Sequence, residues 1–170
     1  TAYVHDLFSG FGLLTEYQHH TSGYADNVIG TLHGITQPDL VYIAIGHLDD
    51  LPSTGPAPGA DDNASGTAMV TALAEIMSGY CFDRTVKFIA VTGEEQGLYG
   101  SDHYADEAAA AGEDIVAVLN GDMIGWEGNN PTVEDLGRAG FLVPAAEDLP
   151  DLQGDVDFRA AVDQVVERLG

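Results

Sequence analysis

A single cysteine, Cys81, is the only thiol in this chain of 170 residues, so no internal disulfide and no cysteine-rich zinc module can form. Its apolar surroundings, Gly79-Tyr80-Cys81-Phe82, suit an inert structural thiol better than a nucleophile. Basic residues are also scarce: 5 Lys and Arg stand against 28 Asp and Glu, a formal net charge of -23. Such a surface repels phosphate backbones and anionic lipid, which argues against nucleic-acid partners and membrane insertion. It favours solubility and cationic ligands, including metal ions and the protonated amine of a peptide N-terminus. No apolar run reaches about eighteen residues, so no membrane-spanning helix is expected. The N-terminus has no basic start followed by an apolar core, so no signal peptide is visible. A start at Thr1 instead of Met fits a processed or trimmed chain, and the expected location is secreted or extracellular. There are no internal repeats, and no histidine follows His103.

A hydrophobic content of 45% is enough for one substantial core, so residues 1–170 are expected to form a single domain or most of one, incomplete at its C-terminus. Three runs, 41–45, 85–92 and 115–119, are short, β-branched and almost continuously apolar, as parallel strands covered on both faces tend to be. Residues 27–32 and 15–19 add antiparallel candidates near an edge. Helices are expected over 64–78, with Asp62 and Asn63 as caps and Gly79 as the stop, over 96–111, and over 156–169, where the apolar spacing is amphipathic. Residues 51–60 form one Pro/Gly-rich loop. This alternation predicts an α/β fold, three layers α/β/α around a mixed, mainly parallel sheet.

In such sheets ligands bind beyond the carboxyl ends of the strands. His47, Glu94, Glu95 and Asp122 all fall just past predicted strand ends, and Asp61 and Asp62 open the next helix. One imidazole among several carboxylates is a donor set for a divalent cation, and zinc is the best match for mixed N/O ligands. His47 and Asp49 alternate, so Asp49 is expected to accept the second imidazole N–H and fix the tautomer. Adjacent Glu94 and Glu95 leave a strand end in different directions, so one can bind metal while the other handles a proton.

The four segments Gly-His-Leu-Asp (46–49), Pro-Gly-Ala-Asp-Asp-Asn-Ala-Ser-Gly (58–66), Gly-Glu-Glu-Gln-Gly-Leu-Tyr-Gly-Ser (93–101) and Gly-Asp-Met (121–123) resemble the zinc aminopeptidases of the bacterial leucyl aminopeptidase type. The resemblance covers roughly residues 27–126. It implies a co-catalytic dizinc exopeptidase acting on peptides through a metal-bridging water. Asp62 would bridge both ions, with a strained peptide bond to Asn63. His47 and Asp122 would complete one site, Glu95 would ligate the second ion, and Glu94 would be the general base. Glu94 and Asp49 are thus the candidate catalytic residues, and His47, Asp62, Glu95 and Asp122 the candidate metal ligands. Met123 and Ile124 hint at an apolar pocket for nonpolar side chains.

The family's second zinc takes a further histidine downstream of a helix resembling 156–169. The histidines here other than His47 are His5, His19, His20, His33 and His103. Two zinc ions are expected from the resemblance and one from this chain's own ligands, with a completing C-terminal segment or self-association supplying the rest. Two rival readings stand beside the aminopeptidase. One is a non-catalytic binding or assembly module on a peptidase scaffold, and the other a glutaminyl cyclase or carboxypeptidase of the same superfamily.

Overall fold

The computed structural model describes residues 1–51 and 59–125. Eight elements follow in order: α1 (Ala2–Gly10), β1 (Leu14–Gln18), β2 (Asn27–Leu32), β3 (Gln37–His47), α2 (Ala64–Met77), β4 (Arg84–Val91), α3 (Tyr99–Ala111) and β5 (Asp114–Asn120). The sheet order is β1-β2-β4-β3-β5. β1 runs antiparallel to β2 and β2 to β4, whereas β3 is parallel to both β4 and β5. The mixed, mainly parallel α/β sheet expected from the sequence is present.

Side chains alternate along β4, so Val86, Phe88 and Ala90 point to one face and Ile89 and Val91 to the other. On the first face, Val4 and Phe8 of α1 and Met69, Val70, Leu73, Ala74 and Met77 of α2 join the core. The second face is covered by Tyr104 and Ala108 of α3. The result is helix, sheet and helix in three layers. α2 mixes strong helix formers (Ala, Met, Leu, Glu) with weaker ones, and its buried positions recur at helical spacing. The Asn63 side chain caps it by accepting from Gly66 N.

Several boundaries differ from expectation for identifiable reasons. α1 has only Val4 and Phe8 as buried anchors in nine residues, too few for periodicity to reveal. α3 begins at Tyr99 and not at 96, because Gly97 (φ 126°) and Leu98 (φ 62°) are left-handed and hold 94–98 as a turn. β3 starts earlier than residue 41, with a register shift against β4 between Gln37 and Val41. Cys81 is exposed, unlike the buried neighbour Phe82 that gave it an apolar context. The predicted helix at 156–169 and most of the 51–60 loop lie outside the described residues.

Candidate metal centre

Three parallel strands deliver their ends to one rim. β3 ends at His47, which is 4% exposed. The chain beyond β4 carries Glu94 and Glu95, and the chain beyond β5 carries Asp122. The fourth contribution, Asp62, comes from the turn into α2. Close backbone approach makes the convergence possible. A β-carbon on Gly66 would lie 2.1 Å from Gly121 O, so only glycine lets the first turn of α2 press against the end of β5. Asn63, nearly fully buried, stitches the same contact. Its Nδ2 donates to Gly121 O at 2.8 Å, and its Oδ1 accepts from Gly66 N at 2.9 Å and from Met123 N at 3.3 Å. Asp61 Oδ1 accepts from Gly125 N at 2.8 Å, and Ser65 Oγ from Ile124 N at 3.0 Å. Asp62 and Asp122 are therefore drawn together by their neighbours. The Asp62–Asn63 peptide bond is cis, at the bond the resemblance singled out.

His47 Nε2 lies 3.2 Å from Asp62 Oδ1, 3.7 Å from Asp122 Oδ1 and 3.9 Å from Glu94 Oε2. Ligand atoms of His47, Asp62 and Asp122 all lie within 4.8 Å of one another. Glu95, expected as a ligand of a second ion, is not a member of that trio. On the other side of the imidazole, Nδ1 is 3.1 Å from Asp49 O and 3.8 Å from Asp49 Oδ1. The ring N–H thus goes to the Asp49 carbonyl and not to its carboxylate, which corrects the expected contact. The reason is that β3 stops at His47, so strand alternation no longer governs Asp49. Its carboxylate instead accepts from Glu94 N at 3.2 Å and Glu95 N at 3.0 Å. With Nδ1 protonated, Nε2 presents its lone pair to the carboxylates, the tautomer a metal ligand needs.

The described residues contain two basic side chains, Arg84 and Lys87. Both belong to the N-terminal half of β4, where Arg84 binds Gln37 and Tyr42 and Lys87 binds Glu113. Among the described residues, the basic side chain that faces Asp62, Glu94 and Asp122 is His47. Burial pushes the Glu94 carboxyl above the ordinary range; His47 opposes the rise, and Asp122, Glu95 and Asp49 add to it. One neutral imidazole nitrogen and two carboxylates, short of countercharge, fit a borderline divalent cation such as zinc. Sequence reasoning saw Asn63 only as a cap. Its second task, holding Gly121 and Met123, has no signature in local sequence.

The model of peptidase family M28 matches residues 27–154. A probable zinc metalloprotease from Pyricularia oryzae is 43% identical over 104 residues, which is 58% of this chain and 21% of that protein. The structure of BSAP, a zinc aminopeptidase from Bacillus subtilis, aligns with a TM-score of 0.52 at 34% identity, covering 61% of this chain and 26% of that one. A glutaminyl cyclase from Fimbriiglobus ruber aligns with a TM-score of 0.58 at 22% identity, covering 71% of this chain and 52% of that one, a likeness of fold alone. The chain thus spans about a fifth of the length of the curated relative and about a quarter of the solved aminopeptidase.

Proposed function

This chain belongs to peptidase family M28, and from that premise we propose that it carries the zinc-binding part of an aminopeptidase that releases N-terminal residues from peptides. The observation that carries the proposal is the meeting of Asp62, Asp122 and Glu94 on a single nitrogen, His47 Nε2. His47, Asp62 and Asp122 would hold one zinc. Glu95, together with Asp62, is the start of a second site that needs a donor from beyond the described residues. Zinc, when bound, supplies Lewis acidity toward a water and the scissile carbonyl.

The protein's own groups do the rest. Glu94 Oε2 takes a proton from the attacking water and returns it to the leaving amine. The Asp49 carboxylate holds the Glu94 and Glu95 amides, and with them the direction in which both side chains leave the turn. The surplus of carboxylates at the rim attracts the cationic N-terminus of a peptide. A scaffold without catalysis would leave Glu94 unexplained, since among the described residues its side chain meets His47 and no group whose role is structural. The test compares zinc-loaded and zinc-stripped protein on amino-acyl anilides, with an N-terminal glutaminyl peptide beside them. Anilide hydrolysis that depends on zinc supports the proposal. Cyclisation of the glutaminyl peptide without anilide hydrolysis would move the assignment to the cyclases.

A further inference from the structure

We propose that Asn27 is a positioning residue for Glu94 and Glu95, an inference that rests on the reading of those carboxylates given above. Asn27 opens β2, is fully buried and lies outside the metal trio. Pairing between β2 and β4 stops at Val28 with Ala90, and the Asn27 side chain extends it by one further rung. Its Oδ1 accepts from Thr92 N at 3.0 Å. Its Nδ2 donates to Gly100 O at 2.9 Å and to Gln18 Oε1 at 2.9 Å. Thr92 and Gly100 are the two sides of the neck from which the 93–99 turn emerges, and that turn carries Glu94 and Glu95.

The neck is closed by main-chain bonds as well. Gly100 N donates to Thr92 O and Tyr99 N to Gly93 O, both at 3.0 Å. Inside the turn, Gly97 N and Leu98 N both donate to Glu94 O at 2.9 Å. A β-carbon on Gly100 would sit 2.3 Å from Asn27 Oδ1 and 2.3 Å from Thr92 O, so the amide and the glycine fit one another. The turn therefore has two anchors. Asp49 holds its tip, and Asn27 holds its base from the neighbouring strand.

The chemistry of the site admits few substitutes. The group must accept on one side and donate twice on the other. Aspartate would set an oxygen against two acceptors, Gly100 O and Gln18 Oε1. Alanine or leucine would leave Thr92 N and Gly100 O without their side-chain partner inside the core. A turn released at its base keeps its carboxylates but no longer fixes their direction, and small displacements of this kind cost catalysis heavily.

The experiment substitutes Asn27→Ala in the intact zinc-loaded protein and reads two quantities. Turnover of a leucyl anilide should fall by ~10²-fold with KM changed less than about threefold. Native-state hydrogen exchange of the 93–100 amides should quicken by at least ~10-fold while β3 and β4 amides keep their protection. Uniform loss of protection across β3 and β4, or unchanged exchange in 93–100, would overturn the proposal and leave Asn27 an ordinary core polar residue. If the wild-type protein binds zinc but hydrolyses no anilide, the aminopeptidase reading fails, and the exchange measurement still decides the role of Asn27. Should Asn27→Ala not fold, Gln18→Ala removes one acceptor at a part-exposed edge position. It should quicken exchange in 93–100 by ~3-fold, and no change there would overturn the proposal.

Discussion

The two ends of β4 handle charge in opposite ways. In its N-terminal half, Lys87 meets Glu113, Glu113 also accepts from Tyr104 Oη at 2.9 Å, and Arg84 reaches Gln37 and Tyr42. Burial and the Glu113 carboxylate hold the Tyr104 hydroxyl protonated, its pKa raised far above the ordinary value. Past its C-terminal end, Glu94, Asp49, Asp62 and Asp122 gather around one imidazole. Where charge serves structure, the chain supplies both signs. Among the described residues, the acids past the end of β4 meet no Lys or Arg, and that asymmetry marks the site more clearly than any single residue does.

The contrast can be broken or sharpened by experiment. The largest effect is expected from Glu94→Gln, which should lower kcat on a leucyl anilide by ~10³-fold with zinc content unchanged; full activity in this variant would remove Glu94 from the chemistry. Next comes Asp122→Ala. Its zinc affinity, read by competition with a chelating dye, should fall by more than ~10²-fold, and an unchanged affinity would place the ion elsewhere. Stripping zinc from a sample held at ~100 times Kd should lower Tm by roughly 5–10 °C. A Tm indifferent to zinc would show that the folded protein does not bind zinc in preference to the unfolded chain.

Lys87→Met tests the balanced end. It strands a part-buried carboxylate and should lower Tm by a few degrees, about 1–2 kcal/mol, while zinc content and kcat stay constant. A loss of zinc here would mean that the two ends are coupled. The smallest effect belongs to Glu94→Gln in the metal-free protein. Because folding raises the pKa of Glu94, its ionised form disfavours the folded state at pH above the unfolded value. The glutamine variant should therefore melt about one or two degrees higher near pH 7. That gain should vanish as pH falls through the folded pKa, where the wild-type carboxyl is itself neutral. A lower melting point would indicate that Glu94 has a structural partner.

Much of the fold was legible because the buried parallel strands are written as continuous β-branched runs. Val41 to Ile45 and Thr85 to Thr92 could hardly be read otherwise. The convergence of His47, Asp62 and Asp122 followed from the strand-end rule once those runs were placed. The illegible parts depend on backbone direction after an element stops. The Asp49 carboxylate could not be aimed from sequence, since β3 ends two residues before it. The delayed start of α3 rests on a left-handed Leu98, a conformation to which leucine gives no clue. Asn27 and Asn63 look like ordinary strand and cap residues, and their long-range bonds are invisible to any local window.

The buried amide between Asn63 and Gly121 has a further consequence, for the order in which the molecule comes together. That bond joins positions 58 residues apart in the chain, and Gly121 reaches it only after β5 has docked beside β3. An early meeting of Asp62 and Asp122 is therefore costly in chain entropy. Closing so long a loop has to precede the reward of the contact. A metal held by His47, Asp62 and Asp122 would therefore clasp β5 to the start of α2, and its affinity would report whether that strand is seated beside β3.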